Sequence, residues 1–465
     1  MPGPGSVWRW LGNVDRVRAM PALVVAGSCI AQFIDNTIYS ISFACLPHLF
    51  EDMQLASKAK IGLVMAMFGV GSVITSVLAG VVSDRWKSRK LPLVIGSAGY
   101  VASGLVLGLS HKLWHVLLYR VLNGMASGLV YPITTAAVAD VRPKKLLGLQ
   151  MSLLGIFNSA GYMVGPVMGG ALYDRIGVRG ISSVIMVSGG FLALLLAFGI
   201  KEPLDIRSRL VKDQGPLQDT AAAASEAAAA ETKDDCSDIT VATGPTFSEE
   251  PAPRMPLWRL VLQWQVLSAS VIALSVGVLT GSLDNVLAIH AKDRFGVSAS
   301  KAGLIYTING GVAIVLSIPV GSGVDWAISR HGETARAGIV SAGLCMAGGA
   351  ALAMGLSTAF GTIVGAEALL ASGLLLVNIP VMSSFGDFVN SLGINSMAQS
   401  YGVYNSFWSV SSLFAPPIAT WLYTRIGFRA IVAGLLPGLC ALCAALMLAE
   451  AVWQAAASRR RAGGR

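Results

Sequence analysis

The sequence predicts an all-α membrane protein with twelve transmembrane helices, built as two six-helix pseudo-symmetric halves. Three observations carry this prediction. Of 465 residues, 54% are hydrophobic and only 13% are charged, whereas soluble domains carry about 25% charged residues. Twelve apolar runs are each long enough to cross a hydrocarbon layer of about 30 Å as a helix. Charged positions in the first six runs also recur, in the same order, in the last six.

The runs cover residues 20–46, 60–82, 91–110, 115–138, 147–172, 181–200, 265–290, 301–324, 337–357, 361–384, 400–423 and 430–450. Irregular backbone cannot face lipid, and the alternation of a closed barrel is absent, so each run reads as a helix. The first run is too long for a signal-peptide core and lacks a small-residue cleavage site, so it reads as an anchor that stays. The chain therefore divides into a tail (1–19), a first half (20–201), a linker (202–262), a second half (263–450) and a C-terminal tail (451–465). The linker includes AAAASEAAAAETKDDCSD and TGPTFSEEPAPRMP. It cannot bury enough apolar area to offset ordering, and reads as a disordered tether.

Lysine and arginine gather in the tails, the linker and the segments 83–90 and 139–148. The positive-inside rule puts these segments and both termini in the cytoplasm. The net charge of +9 is explained by that bias, so no nucleic-acid partner is expected. Cys440 and Cys443 are spaced C-x-x-C within an apolar helical run without further ligands, so no metal or cofactor is expected. No P-loop, H-E-x-x-H or Ser-His arrangement is present, which argues against an enzyme.

The repeat is specific. Lys60-Ile61-Gly62-Leu63 opens the second run and Lys301-Ala302-Gly303-Leu304 opens the eighth; Gly80 and Asp84 close the second, and Gly321 and Asp325 close the eighth at the same offset. LYDRIGVRG at 172–180 faces LYTRIGFRA at 422–430, and AQFIDNTIYS at 31–40 faces GSLDNVLAIH at 281–290. The costly Asp-Asn pair is thus written once per half.

GVVSDRWKSRK at 80–90 resembles the signature G-x-x-x-D-R-x-G-x-R-R of the major facilitator superfamily. Gly80, Asp84, Arg85, Arg89 and Lys90 fit it, and Lys87 stands where the family has glycine. The resemblance implies two halves that rock about a midplane site, with the acid and its arginines as a conformational latch. RVLNG at 120–124 is similar to the family's fourth-helix motif with an intramembrane arginine, Arg120. GIFNSAGYMVGPVMGG at 155–170 resembles its antiporter motif through Gly161, Gly165, Pro166, Gly169 and Gly170. Those glycines give a thin helix that packs closely.

Asp35-Asn36 with Pro47 downstream, and YGVYNSFWSVSSLFAPP at 401–417, resemble twelve-helix drug:proton antiporters related to vesicular amine transporters. The resemblance implies a helix-1 carboxylate that meets a cationic amine. The chain departs from it at Asn378 and Ser409, where that group carries acids, and at an apolar stretch around Phe68 in place of a lysine.

Asp35 lies about 22 Å along its helix from Met20, at ~1.5 Å per residue. A carboxylate there costs roughly 3 kcal/mol on insertion scales. The candidate substrate and proton residues are Asp35, Asn36, Asp284, Asn285, Arg120, Glu367, Tyr404 and Trp408. Asn36 and Asn285 serve equally well as interhelical hydrogen-bond formers. Tyr404, Phe407 and Trp408 share a helix face, suited to stacking on a cargo or to packing.

The expected protein is a monomeric secondary transporter without cofactor. It couples protons to export of a small organic molecule, a drug or secondary metabolite, across the plasma membrane. The alternatives are a vacuolar or vesicular location with uptake of an amine, anion or sugar-like solute, and a non-transporting membrane receptor.

Overall fold

The structure is a computed structural model and describes residues 20–54, 59–141, 144–206, 208–209, 263–391 and 397–462. The described residues include twelve long α-helices and a short one at 46–52, and no strand. The expected N-terminal tail lies outside the described residues, as does most of the expected linker.

Helix α1 (Pro21–Ser40) begins with proline at its first position, where a missing N–H costs nothing. It stops before the expected end at residue 46. Residues 41–45 form turns, and a short α2 (Leu46–Asp52) restarts with Pro47 in its first turn. Proline has no amide hydrogen to continue a helix from the turn before it, so the run divides there.

The first half continues with α3 (Ala59–Trp86), α4 (Lys90–Gly108), α5 (Leu113–Val141), α6 (Lys144–Ile176) and α7 (Val178–Leu194). The second half is α8 (Trp264–Phe295), α9 (Ala299–His331), α10 (Glu333–Leu356), α11 (Phe360–Ser391), α12 (Met397–Ala430) and α13 (Leu436–Ala462). The last helix runs past the expected end at residue 450. Successive long helices alternate in direction. One end of the bundle carries the basic segment Arg85–Lys90 and is called the basic end; the far end carries Glu51 and Lys292.

The repeat returns in the backbone. Gly177 (φ 68°) ends α6 and Gly427 (φ 80°) breaks α12, and the two hold matching places in LYDRIG and LYTRIG. Both lie in the left-handed region that glycine enters freely.

Among the described residues, ten stretches are long and apolar enough to cross a membrane. One of them, Gly402–Ala449, takes in most of α12 and about half of α13. Ile74, Val187, Phe198 and Leu446 lie exposed along the helices, as residues facing lipid tails do. Trp86 and Trp326 are exposed toward the basic end, and Trp114 and Trp421 toward the far end. Tryptophan favours the two membrane interfaces. Arg330 lies over Trp326 at 5.4 Å and Arg425 over Trp421 at 5.9 Å.

The halves meet along two seams. At the α3/α12 seam Ser72 and Ser409 share a hydrogen bond of 2.7 Å, and Asn405 donates to Ser76 at 2.8 Å. At the α6/α9 seam a side-chain carbon on Gly303 would stand 2.6 Å from the Pro166 carbonyl oxygen. Toward the basic end, Gly155 of α6 and Gly321 and Gly323 of α9 have no neighbouring atom within 4 Å of that position. The far end is tied shut. Lys292 pairs with Glu51 and donates to the Pro47 carbonyl at 3.1 Å, and the Ser300 amide donates to Asp174 at 3.1 Å.

Candidate functional site

A narrow cavity lies at the junction of the halves. Tyr39 of α1, Phe43 of the turn that follows it, Met65 of α3 and Arg120 of α5 form one wall; Asp284 of α8 and Ser412 of α12 stand on the other. It has room for little more than a water molecule in this arrangement.

Arg120 is fully buried, which excludes a snorkelling arginine at the helix edge. It donates to the Tyr39 carbonyl oxygen at 3.1 Å, and its other terminal nitrogen lies 2.6 Å from Met65 Sδ. The rings of Tyr39, Phe68 and Tyr119 surround it at 5.8–5.9 Å from the guanidinium carbon. The apolar stretch around Phe68 is therefore part of the cation's box.

Asp284 joins the halves. Tyr162 of α6 donates its hydroxyl to Asp284 Oδ1 at 2.5 Å, and Tyr306 of α9 donates to the Asp284 carbonyl at 2.6 Å. Glu367 of α11 is 2% exposed. It accepts from Asn309 at 2.8 Å through one oxygen, and its other oxygen has no partner. An unpaired buried carboxylate oxygen costs far more than a solvated one.

Asp35 does not join them. It is buried within the first half, where Tyr100 of α4 donates to it, and it does not line the cavity. The drift of the helix explains the separation. Tyr39 follows Asp35 by four residues, a step that turns the face by about 40° at 3.6 residues per turn. The chain reaches the cavity at Tyr39 and, past the end of α1, at Phe43. Asn36 faces α6 beside Gly161. Asn285 donates to the Pro416 carbonyl at 3.3 Å and to Thr420 at 2.5 Å, which makes it a cross-link between α8 and α12.

Tyr404 and Trp408 pack inside the second half. Tyr404 lies 5.6 Å from the Phe385 ring, and Trp408 lies against Gly277. The α12 face toward the first half carries Asn405, Ser409 and Ser412 instead.

The glycine-rich stretch of α6 packs as a thin helix should. Gly161 and Gly165 lie against the α1 backbone and Gly169 against Ile41 in the turn just after it, while Gly170 meets Ala299 of the second half. At the basic end, the buried Arg89 forms an ion pair with Asp140 at 2.9 Å and donates to Ser83 at 2.9 Å. Glu202 accepts from the Arg89 and Lys90 amides at 2.6 and 3.1 Å, an anion at a helix start. Gly80 is buried and Arg85 exposed, and the Asp84 side chain lies outside the described residues. Lys87 has φ 49°, so the position where the signature has glycine demands a left-handed backbone. The second copy is open: Asp325 and Arg330 are exposed.

Tyr100, Tyr162, Asn309, Asp140 and Glu202 were not legible as site residues. Each acts through a partner on another helix, and no local spacing announces such a pair.

The family model described as Major Facilitator Superfamily matches residues 28–401. The chain belongs to the major facilitator superfamily. It is 27% identical over 210 residues to an uncharacterized MFS-type transporter of Schizosaccharomyces pombe, a match covering 44% of this chain and 45% of that one. It is 29% identical over 163 residues to the multidrug resistance protein MdtG of Citrobacter koseri, covering 33% and 40%. The matched stretches thus span less than half of these relatives. The crystal structure of the human organic anion transporter MFSD10 superposes with a TM-score of 0.63 at 18% identity, covering 92% of this chain and 99% of that one. That likeness concerns the fold. This major facilitator protein is thus a multi-pass membrane protein of a transporter family.

Proposed function

We propose that this protein exports a small organic molecule in exchange for protons, by alternating access. The observation that carries the reading is the cavity at the junction of the halves, with Arg120 on one wall and Asp284 on the other. A cargo bound there touches both halves, so its binding is linked to their relative position. Asp284 and Glu367, buried and each held by one hydroxyl or amide donor, are the groups that take up and release protons. Asp35, held inside the first half, maintains helix packing. The positive-inside rule makes the basic end cytoplasmic, so the far-end ties close the outer side. The Arg89–Asp140 pair with Glu202 steadies the cytoplasmic end of the first half. MdtG, a relative named for multidrug resistance, supports a drug-like cargo.

The test is transport by the purified protein in proteoliposomes. Candidate drugs are added on one side of an imposed pH gradient, and a pH-sensitive dye reports its collapse. Cargo-dependent collapse is expected with the wild type and with Asp35→Asn, and not with Asp284→Asn. Transport that ignores the gradient, or a fully active Asp284→Asn, would overturn the proposal.

A further inference from the structure

Among the described residues, Arg120 is a buried cation without a counter-ion. Nε has no partner, and the terminal nitrogen that faces Met65 meets a thioether, a weak acceptor. The remaining contacts are a carbonyl and three rings. Among the described residues no ion pair joins Arg120 to a carboxylate. A buried charge left without a partner is costly. The side edge of a guanidinium, Nε with one terminal nitrogen, is the fork that receives a carboxylate through two parallel bonds.

Asp284 stands on the other wall of the same cavity and forms no ion pair with Arg120. Behind it, Glu367 has an unpartnered oxygen. Opposite charges therefore occupy opposite walls, on opposite halves, with a gap between them.

We infer that the cargo is a small zwitterion: its carboxylate docks on the Nε edge of Arg120, its ammonium on Asp284, and an aromatic or apolar body lies against Tyr39 and Phe43. This rests on the transport reading and names its substrate class. A plain cation would satisfy Asp284 and leave Arg120 repelling it. A plain anion would satisfy Arg120 and face Asp284. Only a molecule with both charges completes both walls, and in doing so it links the halves. The ammonium takes the place of a proton at Asp284, which is the competition that exchange requires.

Tryptophan, tryptamine and indole-3-acetate share the indole ring: tryptophan carries both charged groups, tryptamine only the ammonium, and indole-3-acetate only the carboxylate, on a side chain one carbon shorter. Their binding to the full-length protein in lipid nanodiscs is measured at neutral pH, without a gradient, from ligand-dependent melting shifts. Tryptophan is expected to bind about tenfold or more tighter than either of the others. Asp284→Asn should erase its advantage over indole-3-acetate, and Arg120→Gln its advantage over tryptamine. Should the core variant Arg120→Gln fail to fold, the wild-type ranking and Asp284→Asn decide. Equal binding of a singly charged probe, no binding of any of the three, or an unchanged ranking in a folded variant overturns the inference. A zwitterion preference without gradient-driven transport would sink the antiport reading alone.

Discussion

Tyr162→Phe is the cleanest perturbation of the junction between the halves. It deletes one oxygen and keeps the ring, which lies 5.9 Å from Phe43 and 6.5 Å from Tyr306. What disappears is the 2.5 Å bond to Asp284 that crosses from α6 to α8. A hydrogen bond to a charged group contributes about 1.5–3 kcal/mol. Tyr162 is only half-buried, which favours the lower part of that range. At about 1.4 kcal/mol per factor of ten, the arrangement with a joined far end should lose roughly tenfold in population against the arrangement with a separated one. Spin labels at the exposed positions Arg175→Cys and Ser298→Cys, in a cysteine-depleted background, straddle the far end. Double electron–electron resonance then reads the two populations as two distances. A distance distribution that does not move in a folded Tyr162→Phe protein would refute the idea that this bond holds the halves.

The Arg89–Asp140 pair is buried on both sides, at 5% exposure each. Removing one partner, as in Asp140→Leu, should cost about 3–5 kcal/mol and lower the melting temperature. Arg89→Met with Asp140→Leu should recover much of the loss, and a single variant that melts like the wild type would show the pair to be idle. Glu51, beyond the membrane-spanning segment, is held below its ordinary carboxylate range by the hydrogen bond and charge of Lys292. A lowered folded-state value means that its contribution is complete above the ordinary range and fades as pH falls through the lowered one. The same spin-label pair should therefore report far-end separation only in that acidic window, and a Lys292→Met protein should lack the transition.

Much of this architecture was written in the sequence. Hydropathy sets the spans because the bilayer has a fixed thickness and tolerates no unpaired backbone. The duplication was legible because backbone needs repeat with it, and Gly177 and Gly427 occupy matching left-handed positions. The row Gly161, Gly165 and Gly169 announced a close helix contact, and α1 with the turn that follows it supplies it. Arg120, Asp284 and Glu367 were legible as candidates because charge at that depth is costly.

Which charges share a site was decided by the tertiary structure. Asp35 and Asp284 sit in matching sequence contexts, yet Tyr100 holds the first inside its own half and Tyr162 draws the second to the junction. Asn36 and Asn285 part in the same way, one beside a glycine and the other cross-linking α8 to α12. A sequence states the cost of placing a polar group in lipid. The partner that meets that cost lies on another helix, and only the rotation and packing of the helices select it.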